Sequence, residues 1–274
     1  MSLIPINVVT LPIEQNFNKM RKSSTIKFLC IAVAFVFSGF AANAQLTHLE
    51  QSVFLNFNLP GSEFNDDLQN GLLLSGQDIP LTRYNVGKGA GFGFGFGYRI
   101  SYRFDVGFGE VSPYIHADLM WNRSNSDIRD KFLDIDGKAP HYINLPLYVG
   151  INYRYQLTDI FTPFAEFGLG PDFLFITKEK GTVTWTDDAG AKQGYEFNFK
   201  YKTTTSLAWQ VGLGCYFGQH VSASLHYSGY GKHPIKLKKG ETEQNSLMIP
   251  TFATDAKTQN RSLGLFSLRI GFHF

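Results

Sequence analysis

The sequence predicts an all-β protein, an eight-stranded antiparallel up-and-down β-barrel of the transmembrane kind. Three observations carry that expectation. Apolar and polar residues alternate with period two over long runs, and the connections between those runs are by turns long and short. An aromatic content of 15% and 27 glycines also coexist with a mean hydropathy of only −0.12. A bundle of membrane helices would be far more hydrophobic, whereas a barrel wall gives every second residue to lipid and turns the others toward a polar interior.

The first 44 residues stand outside that fold. Met20-Arg21-Lys22 opens a basic segment that includes Lys27, the apolar run from Phe28 to Ala42 follows, and Ala42-Asn43-Ala44 precedes Gln45. This is the layout of a secretory signal peptide cleaved after Ala44, and the run falls short of the ~20 apolar residues a spanning helix needs. Residues 1–19 carry no targeting logic, as expected if translation starts at Met20 rather than Met1. Residues 45–274 are then a single barrel domain. Once Glu14, Lys19, Arg21, Lys22 and Lys27 are removed with the leader, 21 basic residues face 22 acidic ones. The pI of 8.4 therefore belongs to the leader and makes no case for nucleic acid. Cys30 leaves as well, and Cys215 alone supports neither a disulfide framework nor a cysteine-rich metal site within one mature chain.

Taken in order, the strands begin with residues 51–58, the least regular. In residues 91–104, Phe92, Phe94, Phe96, Tyr98, Ile100 and Tyr102 alternate with Gly91, Gly93, Gly95, Gly97, Arg99, Ser101 and Arg103. Residues 111–121 form the third strand. The fourth, 143–157, sets Ile143, Leu145, Leu147, Val149 and Ile151 against Asn144, Tyr148, Asn152 and Arg154. Four more are expected over residues 161–175, 207–217, 221–228 and 266–274. Long connections fall near residues 59–90, 123–140, 178–202 and 232–260, and short ones near 105–110, 158–160 and 218–220. An up-and-down barrel with tight turns at one end produces this rhythm, and a soluble sandwich has no reason to keep its long loops together. Aromatics gather at the expected membrane edges. Trp121, Phe173, Phe175 and Tyr227 fall toward the loops; Tyr102, Phe104, Tyr153, Tyr155, Phe161, Phe217, Phe272 and Phe274 fall toward the turns.

The leader ending Ala42-Asn43-Ala44-Gln45, the glycine-aromatic strand from Gly91 to Tyr98 and the final strand ending in Phe274 resemble an outer-membrane β-barrel domain family, described as porin-like or PorT-like, of Bacteroidota-type bacteria. The resemblance covers residues 45–274. It implies a location in the outer membrane and makes Phe274 the aromatic signal read by the outer-membrane assembly machinery. It implies no catalytic or ligand residues.

Parity assigns the interior. Arg99, Arg103, Arg154 and Arg269 point inward with Asp118, Glu166 and Asp172, and unpaired charge there would be costly. A structural network that plugs the lumen is expected, with Arg103, Arg154, Glu166 and Arg269 toward the turn end. The glycines between Gly87 and Gly97 all bear odd numbers, so G-x-G-x-x-G cannot occur among them. Inward glycines instead leave room for long lumen side chains.

Catalysis is not expected, nor is a cofactor. A lipid-hydrolysing barrel needs serine and histidine together on its outer face. Here His116, His226 and His273 point inward, whereas His48, His141, His220 and His233 fall in loops, turns or the N-terminal segment. Ser224, His226 and Ser228 share an inner face, where polar residues need no chemistry to explain them. Beyond the membrane, residues 182–186 and 195–201 alternate around Asp187-Asp188-Ala189-Gly190 as a hairpin, and Lys232, Lys236, Lys238 and Lys239 cluster in the last loop. These positive charges suit anionic lipopolysaccharide or a surface partner. The expected protein is a structural or porin-like envelope component with both mature termini in the periplasm, in contact with outer-membrane lipids and lipopolysaccharide. The alternatives are a surface-binding barrel, a secretion accessory of PorT-like type and, last, a lipid-modifying enzyme.

Overall fold

A computed structural model describes residues 48–68, 71–74, 82–85, 87–130, 135–186, 190, 192–243 and 259–274. The leader expected over residues 1–44 and the expected turn residues 187–189 lie outside the described residues. Eight long strands carry the architecture: β1 (Leu49–Pro60), β2 (Ala90–Tyr102), β3 (Glu110–Ser124), β4 (Tyr142–Arg154), β5 (Phe161–Ile176), β6 (Thr204–Phe217), β7 (Val221–Ile235) and β8 (Gln259–His273). Each pairs antiparallel with its neighbours in sequence, and β8 returns to β1 through Val53↔Phe272, Leu55↔Ile270 and Phe57↔Leu268. The sheet is thus a closed ring of eight, which leaves no unpaired edge among these strands.

Alternation along each strand separates two environments. On the outside, Phe96 sits beside Leu119, Ile115 beside Val149, Phe167 beside Val211, and Leu213 beside Leu225. On the inside lie polar and charged residues such as Asn56, Arg99, Asp118, Gln210 and Arg269, all buried. Small residues make space for them. A Cβ at Gly97 would collide with the Asp118 carboxylate, and one at Gly212 would collide with the His226 ring.

The short connections hold tight turns, with Gly107 and Gly218 in left-handed conformations at φ +84 and +68. Residues 155–157, expected to continue β4, lie in such a turn instead, and Phe104 belongs to the two-residue strand Phe104–Asp105 that pairs with Val111 and Glu110. At the opposite end the strands outrun their expected limits. β7 continues to Ile235 past a register shift between Gly229 and Lys232, where Gly231 takes φ +63. His233, assigned to a loop from the sequence, is therefore a fully buried strand residue, and Lys232 lies in β7 rather than in the last loop.

Above this end the chain builds a second, five-stranded sheet, in the order Leu237–Glu243, Lys192–Tyr201, Glu179–Thr186, Ile135–Lys138 and Ile128–Asp130. The hairpin read from the sequence is its centre. Lys238 and Lys239 belong to its edge strand, not to an irregular loop. Ile128, Phe197 and Phe199 lie buried in one apolar cluster with Leu68, Tyr142, Tyr230 and Leu263. The short helix α1 (Ser62–Asn65) adds Phe64, whose ring meets Tyr142 edge-on at 5.4 Å.

Candidate functional site: the charged lumen

Three ion-paired crossbars traverse the barrel interior, each linking strands three places apart around the ring. Arg99 on β2 donates two parallel hydrogen bonds to Glu166 on β5, at 2.8 and 2.6 Å. Its guanidinium lies 4.1 Å from the Tyr114 ring centre and 4.8 Å from that of Phe54. Arg269 on β8 donates to Asp118 on β3 at 3.0 Å, to Asn56 at 2.8 Å and to Glu166 at 3.4 Å. Two arginines and two carboxylates thus balance in the middle of the barrel, all four at most 5% exposed. Burial of such charges is tolerable only with this degree of pairing. His116 adds to the tier: its Nδ1 accepts from Arg99 Nε at 3.2 Å, which puts its proton on Nε2, 2.8 Å from Asp118 Oδ1.

The third crossbar lies at the turn end. Arg154 on β4 donates from both terminal nitrogens to Glu50 on β1 at 3.1 Å, and its Nε is 3.2 Å from Glu110. Glu50 also lies 3.3 Å from His273, whose ring bonds with the Ser52 and Ser222 hydroxyls at 2.8 Å. Glu50 precedes the expected start of β1 at residue 51, and the observed strand begins at Leu49. The parity of Glu50 with Ser52, Asn56 and Asn58 was the available signal.

Three expectations need correction. Arg103 sits at the barrel mouth with its side chain 38% exposed, 3.7 Å from Glu50, and is not enclosed with the other arginines. The reason is its place one residue beyond β2, where the wall ends. Asp172 meets no arginine. Asn144 donates to it at 2.8 Å, and His233 Nε2 approaches at 3.1 Å while His233 Nδ1 shares a hydrogen bond with Thr204 at 2.9 Å. Glu166 and Arg269, expected near the turns with Arg103 and Arg154, form the tier above them.

One arrangement has the groups of a hydrolase. Ser224 Oγ bonds with His226 Nε2 at 2.9 Å, and His226 Nδ1 lies 3.6 Å from Glu166 Oε1. Serine catalysis also requires a carbonyl at Oγ and donors for the oxyanion. All three residues are buried inside the wall, and Glu166 is already committed to Arg99 and Arg269. The Ser224–His226 hydrogen bond satisfies the serine hydroxyl and His226 Nε2 within the wall, while His226 Nδ1 has no hydrogen-bond partner among the described residues.

No protein-family model matches the chain, and no curated protein matches it either. Among solved structures, the chain is similar to OprG, an outer membrane protein from Pseudomonas aeruginosa, at 15% identity and a TM-score of 0.40, covering 84% of this chain and 96% of that one. AlkL, an outer membrane protein solved in lipid bilayers, gives 14% identity and a TM-score of 0.39, over 84% and 92%. Ail, the attachment invasion locus protein of Yersinia pestis, gives 13% and 0.35, over 83% and 100%.

Proposed function

We propose that the chain is an integral outer-membrane β-barrel protein of a Gram-negative envelope, closed to solutes along its lumen. The turn end and both termini of the barrel domain then face the periplasm. One observation carries the reading: the wall is inverted relative to that of a water-soluble protein. Leu213 and Leu225 on the outer face are each 68% exposed, and they belong to an apolar belt that runs around the ring, while the charges lie inside. Water offers no reason to expose so continuous a surface, and hydrocarbon requires it. Trp121, Trp209 and Phe175 toward the loop end and Tyr102, Phe161 and Phe217 toward the turn end bracket the belt as interfacial aromatics do.

Closure of the lumen is supported by the crossbars and by the small bore of eight strands, which side chains nearly fill. Planar-bilayer recordings test it. The unmutated protein is expected to give no large, steady conductance that scales with salt, and such a conductance would overturn closure. Membrane insertion is tested separately, by the shift of the unheated band on gels and by retention in extracted outer-membrane fractions. The role assigned is structural rather than hydrolytic, so incubation with phospholipid or lipopolysaccharide is expected to release no acyl chains.

A second reading, a barrel that binds at the cell surface, is favoured by the five-stranded outer sheet, which is larger than strand connection requires. Deleting residues 179–201 and measuring adhesion tests that role. A PorT-like secretion function would be a narrower use of the same surface.

A further inference from the structure

The outer sheet holds a groove of about 860 Å³ whose charges are sorted by height. Lys138 and Lys180 stand directly opposite each other on adjacent antiparallel strands, and Asn198 continues the row on the next strand. Two residues farther from the barrel, the corresponding row is Asp136, Thr182 and Glu196. Arg123, exposed at the top of β3, lines the lower part of the groove with the lysines. None of Arg123, Lys138 and Lys180 forms an ion pair among the described residues, and neither does nearby Asp127. Like charges facing each other across a strand pair destabilise a sheet. Their persistence without a carboxylate between them is the feature that needs explaining.

Position along the wall narrows the occupant. Arg123 follows the outward-facing interfacial Trp121 by two residues on β3, about 7 Å along the strand. Trp121 packs against His141 at 5.2 Å, and His141 lines the same groove. Burial, with Lys138 nearby, holds the His141 imidazole below the usual histidine range, so it is neutral at pH 7. The positive charge of the lower tier therefore comes from Arg123, Lys138 and Lys180. It stands at headgroup height, and the upper tier presents carboxylates and a hydroxyl suited to accepting hydrogen bonds from sugar hydroxyls.

We infer that this groove binds the phosphorylated saccharide headgroup of an outer-leaflet glycolipid of the lipopolysaccharide type, with a phosphate held by Arg123, Lys138 and Lys180 and the sugar directed toward Asp136, Thr182 and Glu196. The assignment of height rests on the membrane reading above. The charge sorting does not.

The test uses the full mature chain, folded in detergent and in lipid nanodiscs. Two probes are titrated: the deacylated, phosphorylated core saccharide of lipopolysaccharide, and the same saccharide after phosphatase treatment. Phosphorylated core is expected to bind, more weakly as salt rises. Treated core is expected to bind at least about tenfold more weakly, as loss of a charge-assisted contact implies. Lys138→Gln with Lys180→Gln should reproduce that loss. Lys180→Glu is the sharper variant, because it sets a carboxylate opposite Lys138: thermal stability should hold or rise while binding disappears. Equal binding by Lys180→Glu and the unmutated chain overturns the proposal, as does equal binding of the two saccharides. Intact lipopolysaccharide in nanodiscs should bind more tightly than the free core, and failure of that comparison alone overturns the lipid source. Should the chain fail to enter nanodiscs, the membrane reading falls and the lipid source with it, while the detergent titration still decides the groove.

Discussion

The barrel and the sheet above it bury opposite chemistries with the same alternation. In β5 the even-numbered residues Phe164, Glu166, Asp172 and Leu174 face inward; three residues past the end of β5, Glu179 is buried and Lys180 exposed. The return strand makes the reverse change, from buried Phe197, Phe199 and Tyr201 to buried Thr204, Ala208 and Gln210. Below this boundary the exposed face is apolar and the enclosed one charged. Above it, Phe197 and Phe199 lie under a face that carries Lys138, Lys180 and Glu196. Period two specifies which residues share a face. Only the solvent on each side determines which face is apolar, and the change at residues 177–178 and 202–203 sets the height at which lipid gives way to water.

The largest expected effect concerns assembly of the barrel half alone. The Phe274 backbone N–H donates to Gln51 O at 2.9 Å, and its side chain lies on the exposed wall. Phe274→Asp should remove most of the heat-modifiable barrel from outer-membrane fractions; normal yield would dismiss the assembly signal. Next in size is the lumen. Glu166→Ala leaves Arg99 without its carboxylate and should cost about 3–5 kcal/mol in denaturant unfolding from lipid vesicles. Glu196→Ala, exposed on the outer sheet, should stay within about 0.5 kcal/mol. Similar values for the two glutamates would mean that water reaches the lumen as freely as the surface. A third comparison places the same new charge in both halves. Val211→Arg should cost about 2–4 kcal/mol where it lies near the bilayer midplane, and Glu196→Arg within about 0.5 kcal/mol. Equal small effects would make the belt a water-facing surface and end the membrane reading.

The number of barrel strands and which of their residues share a face are legible in the sequence because each is local. Alternation in residues 143–153 or 207–217 does not depend on what lies across the barrel, and Gly218 marks its turn by backbone freedom alone. Where the local signal weakens, the elements extend beyond what the alternation marks. Gly231 and Pro234 interrupt the pattern of β7, which hides His233 in what reads as a loop, and the short, charged strand Ile135–Lys138 carries no period long enough to detect. Partners were a different matter. Parity placed Arg99 and Glu166 inside, but that they meet, that Asp172 meets His233, and that Glu50 completes a crossbar with Arg154 depend on register and closure. A two-residue shift of one strand against its neighbour would leave every alternation intact while re-pairing the charges that strand carries. The sequence by itself determined the two faces of the wall; ring closure through β8 and β1 decided which charges neutralise one another, because pairing across a lumen is a property of distance in space and not of spacing along the chain.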